Sequence, residues 1–413
     1  MAAQKHEATF VGLDIGSSNI ICVVGLHQTD LATPSIIGIG SSKVNGIKRG
    51  VVTDVEETVS AITAALEEAE RMSGIAIDRA TINIDGSNLQ SLNTNGVIAV
   101  ARADHEIGVE DLARVEDVAS GINLEANRQI VSIIPKTYSV DDHRDVEEPI
   151  GMNGMKLELE AHIITASTSA IKNLQNAIFR SGIAIDQQIP TPISAARALL
   201  DKQKKEHGVA VVHLGAETTG IAVYQKGVIS YTSILPLGSS HITKDLVYGL
   251  RITPEVAEKL KVDHSIATKP RAKTNKKINL EQYGAAGNVY QIDIDTIVSS
   301  RLEEIFAMIS DELYKAVKTP SNLGAGVILT GGGANMPEIT NFVRNNLSVP
   351  VQLGRPSGYS GISEKISDPA YSSVIGLMLS DMDAPPEKPK YKGIKVANGL
   401  FSKVKSIVKG LIP

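Results

Sequence analysis

Two short segments of this chain carry residues that can bind phosphate groups. Asp14-Ile-Gly-Ser-Ser-Asn19 places a Gly/Ser turn between two apolar runs, and His213-Leu-Gly-Ala-Glu-Thr-Thr-Gly220 repeats this order about 200 residues later. Backbone N–H groups in such turns can converge on one anion, because glycine and small hydroxyl residues allow close approach. Two turns facing each other across a cleft can hold a nucleotide phosphate chain from both sides. The predicted contacts are Asp14, Gly16, Ser17, Ser18 and Asn19 in the first segment, and Gly215, Thr218 and Thr219 in the second.

Three further groups complete a candidate nucleotide site. Asp14 can hold Mg²⁺ through water, since this ion prefers oxygen ligands and keeps several waters. Glu258 and Lys261 lie three residues apart on one predicted helix face and can flank a ribose. A glycine run after an apolar strand can form a flat backbone shelf for a purine, with predicted contacts at Gly331, Gly332, Gly333 and Ala334. Taken alone, the first segment also fits a plain β-hairpin that binds nothing.

Alternating strands and helices must position these residues. Apolar runs predict strands at Ala8–Asp14, Ile20–Gly25, Ala80–Ile84, Val209–Leu214, Gly220–Gln225 and Gly326–Thr330. Helical periodicity predicts helices that include Val55–Met72, Ile193–Gln203 and Asp295–Val317. Between about residues 85 and 162 the pattern changes to a self-contained α+β package with a predicted helix at Val109–Ala126. The repeated strand–turn–strand order indicates an internal duplication.

Composition excludes several classes of protein. With 413 residues and 42% hydrophobic content, the chain can form two or three globular domains. No apolar run reaches the ~18 residues of a membrane-spanning helix, and residues 1–7 lack a secretory pattern, so we expect a cytosolic body. The single cysteine, Cys22, lies in an apolar run, which predicts a packing residue rather than a nucleophile. Sparse aromatic residues and the absence of tryptophan argue against a base-stacking surface, so no nucleic-acid partner is expected.

The end of the chain differs in charge from the rest. Residues 384–413 hold seven lysines and one glutamate, a charge of +6, so the other 383 residues carry −11 of the total of −5. Such an asymmetry predicts an anionic partner for this end alone. Residues 384–398 are rich in proline and charge, which is typical of a flexible linker.

Residues 399–413 have the period of an amphipathic helix. An apolar stripe with lysines opposite is typical of a helix that lies in an anionic membrane interface. The predicted membrane contacts are Leu400, Phe401, Lys403, Val404, Lys405, Ile407, Val408, Lys409 and Leu411. Fifteen residues are marginal for an isolated helix in water, so we expect it to fold on the bilayer. The alternative is a helix docked on its own body, against which the linker and its additional lysines argue.

The order of these motifs resembles the actin/Hsp70/sugar-kinase superfamily. The shared order is a phosphate hairpin, a linking helix, a second hairpin, a Glu-x-x-Lys helix and a triple-glycine shelf. Within this superfamily, nearly the whole chain resembles the FtsA family of bacterial actin-like division proteins. The most specific segments lie in the inserted package and are Asp85-Gly-Ser-Asn88, Asn95-Gly-Val-Ile98, Val109–Val115, Arg128–Pro135 and Pro149–Met155.

This resemblance implies an α/β, actin-like two-lobed fold with duplicated mixed β-sheet cores. It adds an inserted FtsA-type α+β subdomain and a C-terminal amphipathic helix on a flexible linker. The expected subdomains are 1A (1–86, 165–205 and 356–383), 1C (87–164), 2A (206–238 and 325–355) and 2B (239–324), then the linker 384–398 and the helix 399–413. The resemblance also implies ATP and Mg²⁺ in a cleft, head-to-tail self-assembly, attachment to anionic membrane lipids, binding of the tubulin-like ring protein FtsZ, and recruitment of downstream divisome proteins.

Two motifs near the phosphate site depart from the family pattern. The second hairpin in relatives reads approximately D-[IL]-G-G-G-T-T-D, whereas this chain has His213 first, Glu217 among the glycines and Gly220 last. Relatives place Glu or Gln, which orients the attacking water, where this chain has Thr191. Imidazole is a softer ligand than carboxylate, and threonine is not a base, so we expect ATP to be bound but hydrolysed weakly or not at all. The alternative is that Glu217 and a rearranged water compensate.

The expected function is therefore a membrane-tethered ATP-binding scaffold of bacterial cell division. It would polymerise and anchor the FtsZ ring at the cytoplasmic face of the cell membrane, at the division site. One alternative is an actin-like adaptor for another envelope machine, such as pilus assembly, which the inserted motifs disfavour. Another is a small-molecule kinase, for which the sequence offers no clear catalytic carboxylate near the terminal phosphate.

Overall fold

Two β-sheets with the same strand order form the centre of the molecule. The computed structural model describes residues 7–28, 33–270, 276–361 and 366–383, and those up to Met382 form one compact unit. The strands are β1 (Glu7–Ile15), β2 (Asn19–Gln28), β3 (Ser35–Lys43), β4 (Ile47–Lys48), β5 (Val51–Val52), β6 (Arg79–Ile84), β7 (Gln90–Ala99), β8 (Arg128–Val140), β9 (His143–Val146), β10 (Lys156–Ser167), β11 (Ala184–Pro190), β12 (Val209–Leu214), β13 (Thr219–Gln225), β14 (Val228–Leu235), β15 (Lys277–Asn279), β16 (Asn288–Tyr290), β17 (Val327–Thr330), β18 (Val351–Leu353) and β19 (Ser360–Gly361).

The helices alternate with these strands along the chain. They are α1 (Val55–Ser73), α2 (Val109–Ser120), α3 (Thr168–Arg180), α4 (Thr191–Leu199), α5 (Lys202–His207), α6 (Ser240–Leu250), α7 (Pro254–His264), α8 (Gln291–Val317), α9 (Ile339–Leu347) and α10 (Ser372–Met382). Within the described residues, no helix has both the length and the apolar character needed to cross a membrane.

The two central sheets are built by the same sequence of connections. In the first sheet, the antiparallel strands β1, β2 and β3 are followed by β6 and β11, which extend the sheet in parallel on the other side of β1. In the second, the antiparallel strands β12, β13 and β14 are followed by β17 and β18, added in parallel beside β12. This repetition confirms the duplicated mixed β-sheet cores that the sequence predicted.

Helices cover both faces of each sheet. On the first sheet, α1 and α3 pack on one face and α10 on the other. The second sheet has α8 and α9 on one face and α4 on the other. The helix α4 thus follows the first sheet in the chain but packs on the second. The chain returns from β18 of the second sheet to β19 at the edge of the first, and α10 then packs on the first sheet. These two helices link the lobes.

The linking helices cross each other at very short range. Gly376 of α10 lies against the backbone of α4, where a Cβ atom would come within 1.6 Å of the Ser194 carbonyl oxygen. The hydroxyls of Ser194 and Ser373 are hydrogen-bonded across the crossing at 3.0 Å. Small residues at this crossing allow the two lobes to meet directly beneath the predicted site.

A third sheet is inserted between β6 and α3. Its order is β7–β10–β8–β9, and α2 covers one face through a core that includes Val115, Leu157 and Leu159. The predicted helix Val109–Ala126 is wrong at its end, because α2 stops at Ser120 where Gly121 follows. The predicted helix Ile193–Gln203 is divided into α4 and α5, since Asp201 caps α5 through its carboxylate. The predicted linker and amphipathic helix lie outside the described residues.

Candidate functional site

The first phosphate turn connects β1 to β2. The Gly16 N–H donates to the Asn19 carbonyl oxygen at 3.1 Å, and a Cβ atom at Gly16 would lie 2.8 Å from that same oxygen. Glycine is therefore required to close the turn. Ser17 is half-buried, while Ser18 and Asn19 are exposed. The sequence forms this turn because two apolar strands pair from Glu7–Gln28 to Ile15–Ile20.

The second phosphate turn has the same geometry. The Gly215 N–H donates to the Thr218 carbonyl oxygen at 2.9 Å, and a Cβ atom at Gly215 would lie 2.9 Å from that oxygen. The threonine hydroxyls are already engaged: Thr218 donates to Asp85 at 2.7 Å and Thr219 to the Leu237 carbonyl at 2.7 Å. The side chains of these threonines therefore hold the turn in place and leave its backbone to face a ligand.

Both turns present unpaired backbone donors. Among the residues that the structure describes, the N–H groups of Ser17, Ser18, Ala216 and Glu217 donate to no protein acceptor. Adjacent unpaired N–H groups in a tight turn form a concave anion site. The first turn contacts the segment Arg49-Gly50, the second contacts that segment and Asp85, and the binding of a phosphate chain between the turns stays a prediction.

Two carboxylates, buried Asp14 and half-buried Asp85, lie next to the turns. Burial and the negative charge of Asp85, acting against a hydrogen bond from Ser373, together raise the pKa of Asp14 to about 7. Burial also raises the pKa of Asp85, although hydrogen bonds from Thr218 and the Gly86 N–H lower it. The charge of Asp85 thus makes the ionisation of Asp14 harder. A nearby cation would relieve this repulsion.

Glu258 and Lys261 form one hydrogen-bonded cluster with Thr243. Lys261 Nζ lies 2.7 Å from Glu258 Oε2 and 3.0 Å from Thr243 Oγ1, and Thr243 donates to Glu258 at 2.6 Å. Burial raises the pKa of Glu258, but the hydrogen bond and charge of Lys261 outweigh it and the pKa is lowered. The cluster adjoins the second turn, because α6 begins where the Ser239 N–H donates to the Gly215 carbonyl at 2.9 Å. Both predicted residues therefore lie beside the phosphate turn.

The glycine shelf also adjoins the second turn. Gly331 has φ = 88°, and a Cβ atom there would lie 2.6 Å from the Leu214 carbonyl oxygen, so only glycine fits. Gly333 is packed equally closely against the Leu214 side chain. Gly332 is exposed, and the nearest atom to a Cβ placed there is 3.9 Å away. The shelf therefore presents open backbone at Gly332, while Ala334 is buried behind it.

Thr191 is a buried structural residue in this chain. Its hydroxyl donates to the Ile84 carbonyl at 3.3 Å and accepts from Asn83 Nδ2 at 3.1 Å. Asn83 in turn accepts from the Ile15 N–H at 2.7 Å, immediately before the first turn. The proton and one lone pair of the Thr191 hydroxyl are therefore engaged within the protein.

Two of the departures in the second hairpin, His213 and Glu217, are also determined by their surroundings. Burial lowers the pKa of half-buried His213 to about 4, so its imidazole is neutral at pH 7. The Glu217 carboxylate accepts from the Arg49 N–H at 2.8 Å and from Lys244 Nζ at 2.7 Å. Within the described residues, no group of three metal-ligating side chains forms a direct metal centre.

Sequence reasoning missed Asp85, Asn83 and Thr243. Asp85 and Asn83 stand at the carboxyl end of β6, which runs parallel to β1 next to the first turn. Ligand sites in sheets with parallel strands lie at those carboxyl ends, so the Asp85-Gly86 pair after a buried strand was an available signal. Thr243 carried no such signal, since an isolated threonine in a helix predicts nothing. The predicted membrane contacts from Leu400 to Leu411 lie outside the described residues.

Comparisons with known proteins agree with this architecture. Residues 210–376 match the family "Cell division protein FtsA", and residues 86–165 match the "SHS2 domain inserted in FTSA". The chain is similar to the cell division protein FtsA of Neisseria meningitidis, with 34% identity over 89% of this chain and 88% of that protein. It is 35% identical to the Bacillus subtilis protein of the same name, over 91% of this chain and 83% of that protein.

Solved structures show the same fold at low sequence identity. A "PilM-PilN type IV pilus biogenesis complex" matches with a TM-score of 0.65 and 14% identity, over 91% of this chain and 99% of that one. The structure of MreB5 of Spiroplasma citri bound to ADP matches with a TM-score of 0.53 and 13% identity, over 91% and 96% of the two chains. A "MamK double helical filament" matches with a TM-score of 0.51 and 11% identity, over 91% and 99%.

Proposed function

Because the chain belongs to the FtsA family of cell division proteins, we propose that it is a nucleotide-binding scaffold tethered to the cell membrane. Its relatives in that family are 30–35% identical over about nine-tenths of the chain, and its fold is actin-like. Family membership favours cell division over the pilus-assembly and kinase alternatives. The likeness to PilM is a likeness of fold, at 14% identity.

The paired turns are the observation that carries nucleotide binding. Gly16 and Gly215 make the same backbone hydrogen bond in both lobes, and each turn leaves two N–H groups without a protein acceptor within the described part of the chain. A Cβ atom at either glycine would collide with the turn, so glycine is needed to keep each turn tight. The unpaired N–H groups of two such tight turns can bind a phosphate chain. The bound MreB5 structures contain ADP or AMPPNP in a related fold, which supports ATP as the nucleotide here.

Each predicted residue then has a role in holding ATP. The turn residues bind the phosphates through their backbone, and the Gly331–Gly333 shelf lies under the base. Glu258 and Lys261 flank the ribose. Asp14 holds Mg²⁺ through water, and the positive charge of the ion offsets the repulsion between Asp14 and Asp85. The bound ion would supply charge neutralisation of the phosphates.

We expect hydrolysis to be slow or absent. The position that relatives use to orient water is Thr191, whose hydroxyl is occupied by Asn83 and Ile84. A neutral His213 replaces an acidic residue in the second hairpin. Steady phosphate release by the full chain with Mg²⁺ and ATP should therefore stay well below ~1 s⁻¹, the lower end of common turnover numbers. Faster release would contradict this proposal.

Nucleotide binding is tested at the exposed position of the shelf. Gly332→Val adds a side chain where the base would lie, in space that holds no other atom within 3.5 Å of a Cβ. We expect affinity for a fluorescent ATP analogue with Mg²⁺ to fall at least tenfold while the melting temperature is kept. The exposed Ala113→Val on α2 is the matched control. Equal affinities of wild type and Gly332→Val would contradict the assigned site.

Membrane attachment is proposed for the basic C-terminus. The support is its sequence alone: a charge of +6 in residues 384–413 and an apolar stripe along 399–413. Cosedimentation with vesicles containing an anionic lipid compares the full chain with a chain ending at Asp383. We expect binding only by the full chain, with the loss of binding at high salt that screening requires. Equal binding by both would reject the anchor.

We further propose self-assembly and binding of FtsZ on the membrane. The related folds include a filament, and the FtsA relatives are division proteins. Electron microscopy of the full chain on anionic vesicles with Mg²⁺ and ATP should show filaments. Purified FtsZ should be retained on those vesicles only when the full chain is present. Midcell location of the labelled protein in dividing cells tests the position at the division site and its link to downstream divisome proteins.

A further inference from the structure

Two backbone segments of the first lobe form a ledge beside the phosphate turns. Arg49-Gly50, in the turn between β4 and β5, packs against Asp85-Gly86 at the end of β6. A Cβ atom at Gly50 would lie 2.5 Å from the Gly86 nitrogen, and one at Gly86 would lie 3.1 Å from the Arg49 carbonyl oxygen. The first phosphate turn is fixed to this ledge, because the Gly50 N–H donates to Ser17 Oγ at 3.0 Å.

The second phosphate turn, from the other lobe, is attached to the same ledge. Glu217 Oε2 accepts from the Arg49 N–H at 2.8 Å, and Thr218 Oγ1 donates to Asp85 Oδ2 at 2.7 Å. These two hydrogen bonds involve adjacent residues of one turn and adjacent segments of the ledge. Both include an ionisable carboxylate, and such hydrogen bonds are stronger than neutral ones when the carboxylate is charged.

Glu217 is itself anchored within the second lobe. Its other carboxylate oxygen lies 2.7 Å from Lys244 Nζ of α6. The turn carbonyls of Gly215 and Ala216 accept from Ser239 and Ser240 at the start of α6. Both the Glu217 side chain and the backbone of its turn are therefore hydrogen-bonded to α6, so the Arg49 contact connects the ledge to this helix.

From these contacts we propose that Glu217, Thr218, Arg49 and Asp85 form a cross-lobe clasp that holds the phosphate turns together without nucleotide. A residue without a carboxylate at position 217 could not accept from both Arg49 and Lys244. In this chain the carboxylate replaces part of the bridging that a phosphate chain would provide. The clasp fixes the relative position of the lobes. The two lobes therefore keep the arrangement needed for self-assembly when the nucleotide is lost. The effect of nucleotide loss rests on the proposed nucleotide site, whereas the contacts of the clasp do not depend on that site.

The clasp is tested by amide exchange at Arg49 in the nucleotide-free full chain. Arg49 lies in an exposed two-residue turn, where an unprotected amide exchanges rapidly. We expect Glu217→Ala, which removes the acceptor, to increase the exchange rate of the Arg49 amide at least fivefold, and Lys244→Met to give a smaller increase. Adding Mg²⁺ and ATP to the wild type should change that rate less than twofold.

Glu56→Ala is the matched control for loss of a carboxylate ion pair. Glu56 pairs with Arg180 at 2.6 Å within the first lobe, so its loss should leave Arg49 exchange unchanged. Equal Arg49 exchange in wild type and Glu217→Ala would overturn the clasp, as would protection that develops only after ATP is added. Failure of ATP to bind would contradict the proposed function and leave the nucleotide-free exchange result standing, so the two failures are distinguishable.

Discussion

Individual residues in the site are constrained mainly by backbone geometry. Gly16, Gly215 and Gly331 each lie where a Cβ atom would come within 3 Å of a carbonyl oxygen. Carboxylates and hydroxyls around them are engaged with one another, as Thr218 is with Asp85. The site is therefore rigid in its backbone, and its side chains mainly support the turns.

Gly331 and Gly332 provide a comparison between neighbouring glycines. Gly331→Ala forces a side chain into a left-handed conformation against the Leu214 carbonyl, and we expect a loss of about 2–4 kcal/mol in the free energy of unfolding. Gly332→Ala meets open space and should change it by less than ~0.5 kcal/mol. Urea unfolding of both variants measures the difference. Similar losses in both would show that the shelf is not held as described.

Asp14 predicts an unusual dependence of stability on pH. Its pKa of about 7 in the folded chain exceeds the ordinary 3.8, so the folded state binds the proton more tightly than the unfolded state. The contribution of Asp14 to stability therefore falls as pH rises from about 4 to 7. We expect nucleotide-free Asp14→Asn to be more stable than wild type at pH 8, by on the order of 4 kcal/mol, and to lose that advantage near pH 4.

Thermal unfolding over this pH range provides the measurement for Asp14→Asn. Asp117→Asn on α2 is the control, because Asp117 is exposed. Its difference from wild type should stay flat with pH. A flat difference for Asp14→Asn as well would mean that Asp14 ionises normally in the folded chain.

At the scale of elements, the linking helices decide how the lobes meet. The helix α4 carries Ala195 and Ala196 into the core of the second sheet, while α10 packs Val374 and Met378 on the first. Gly376 at their crossing leaves no space for even one methyl group. The spacing of the two helices therefore sets the spacing of the two phosphate turns above them.

Gly376→Ala should separate these helices. The new Cβ would overlap the Ser194 carbonyl oxygen, a backbone atom that cannot rotate away, and we expect a loss of about 2–4 kcal/mol. Gly249→Ala in α6 is the matched control, since its Cβ would meet only the flexible end of Ile297. Alanine is the better helix former by about 1 kcal/mol, which should offset the contact with Ile297. The free energy of unfolding should therefore change little. Calorimetry of both variants tests this, and a neutral Gly376→Ala would contradict the tight crossing.

At the scale of the molecule, the inserted sheet is joined to the second lobe by a polar seam. Thr232 of β14 exchanges two hydrogen bonds with Ser91 of β7, and Asn93 donates to the Ser230 carbonyl. Buried His162 lies in this seam between Asn93 Oδ1 and Thr232 Oγ1, at 2.8 and 3.1 Å. Since Asn93 Oδ1 can only accept, His162 Nδ1 carries the proton and Nε2 accepts from Thr232.

His162 makes the seam sensitive to acid. Burial, with the charge of Lys136, lowers the pKa of His162 from 6.5 to about 4. The unfolded state therefore binds the proton more readily, and stability is lost as pH falls from 6.5 to 4, by up to about 3 kcal/mol. We expect His162→Gln to flatten this part of the stability curve, measured by urea unfolding at several pH values. Exposed His143→Gln should leave the curve unchanged, and an unchanged curve for His162→Gln would contradict the assignment.

The sequence by itself determined the family, the duplicated sheets and the position of the phosphate turns. This was possible because the turns depend on local chemistry: glycine and small polar residues between two apolar strands. Gly16 and Gly215 could be identified from six neighbouring residues each. The nucleotide contacts and the membrane helix remain predictions, since they concern a ligand and residues 399–413.

Only the tertiary structure decided what joins the lobes. Asp85, Asn83 and the Arg49 N–H reach the site from segments far apart in the chain, and no periodicity or spacing predicts which of them meet. Glu217, which the sequence offered as a group that could compensate for the lost catalytic residues, is engaged with Arg49 and Lys244. The physical reason is that local propensities fix turns and helices, whereas a contact across a junction depends on how closely α4 and α10 pack beneath it.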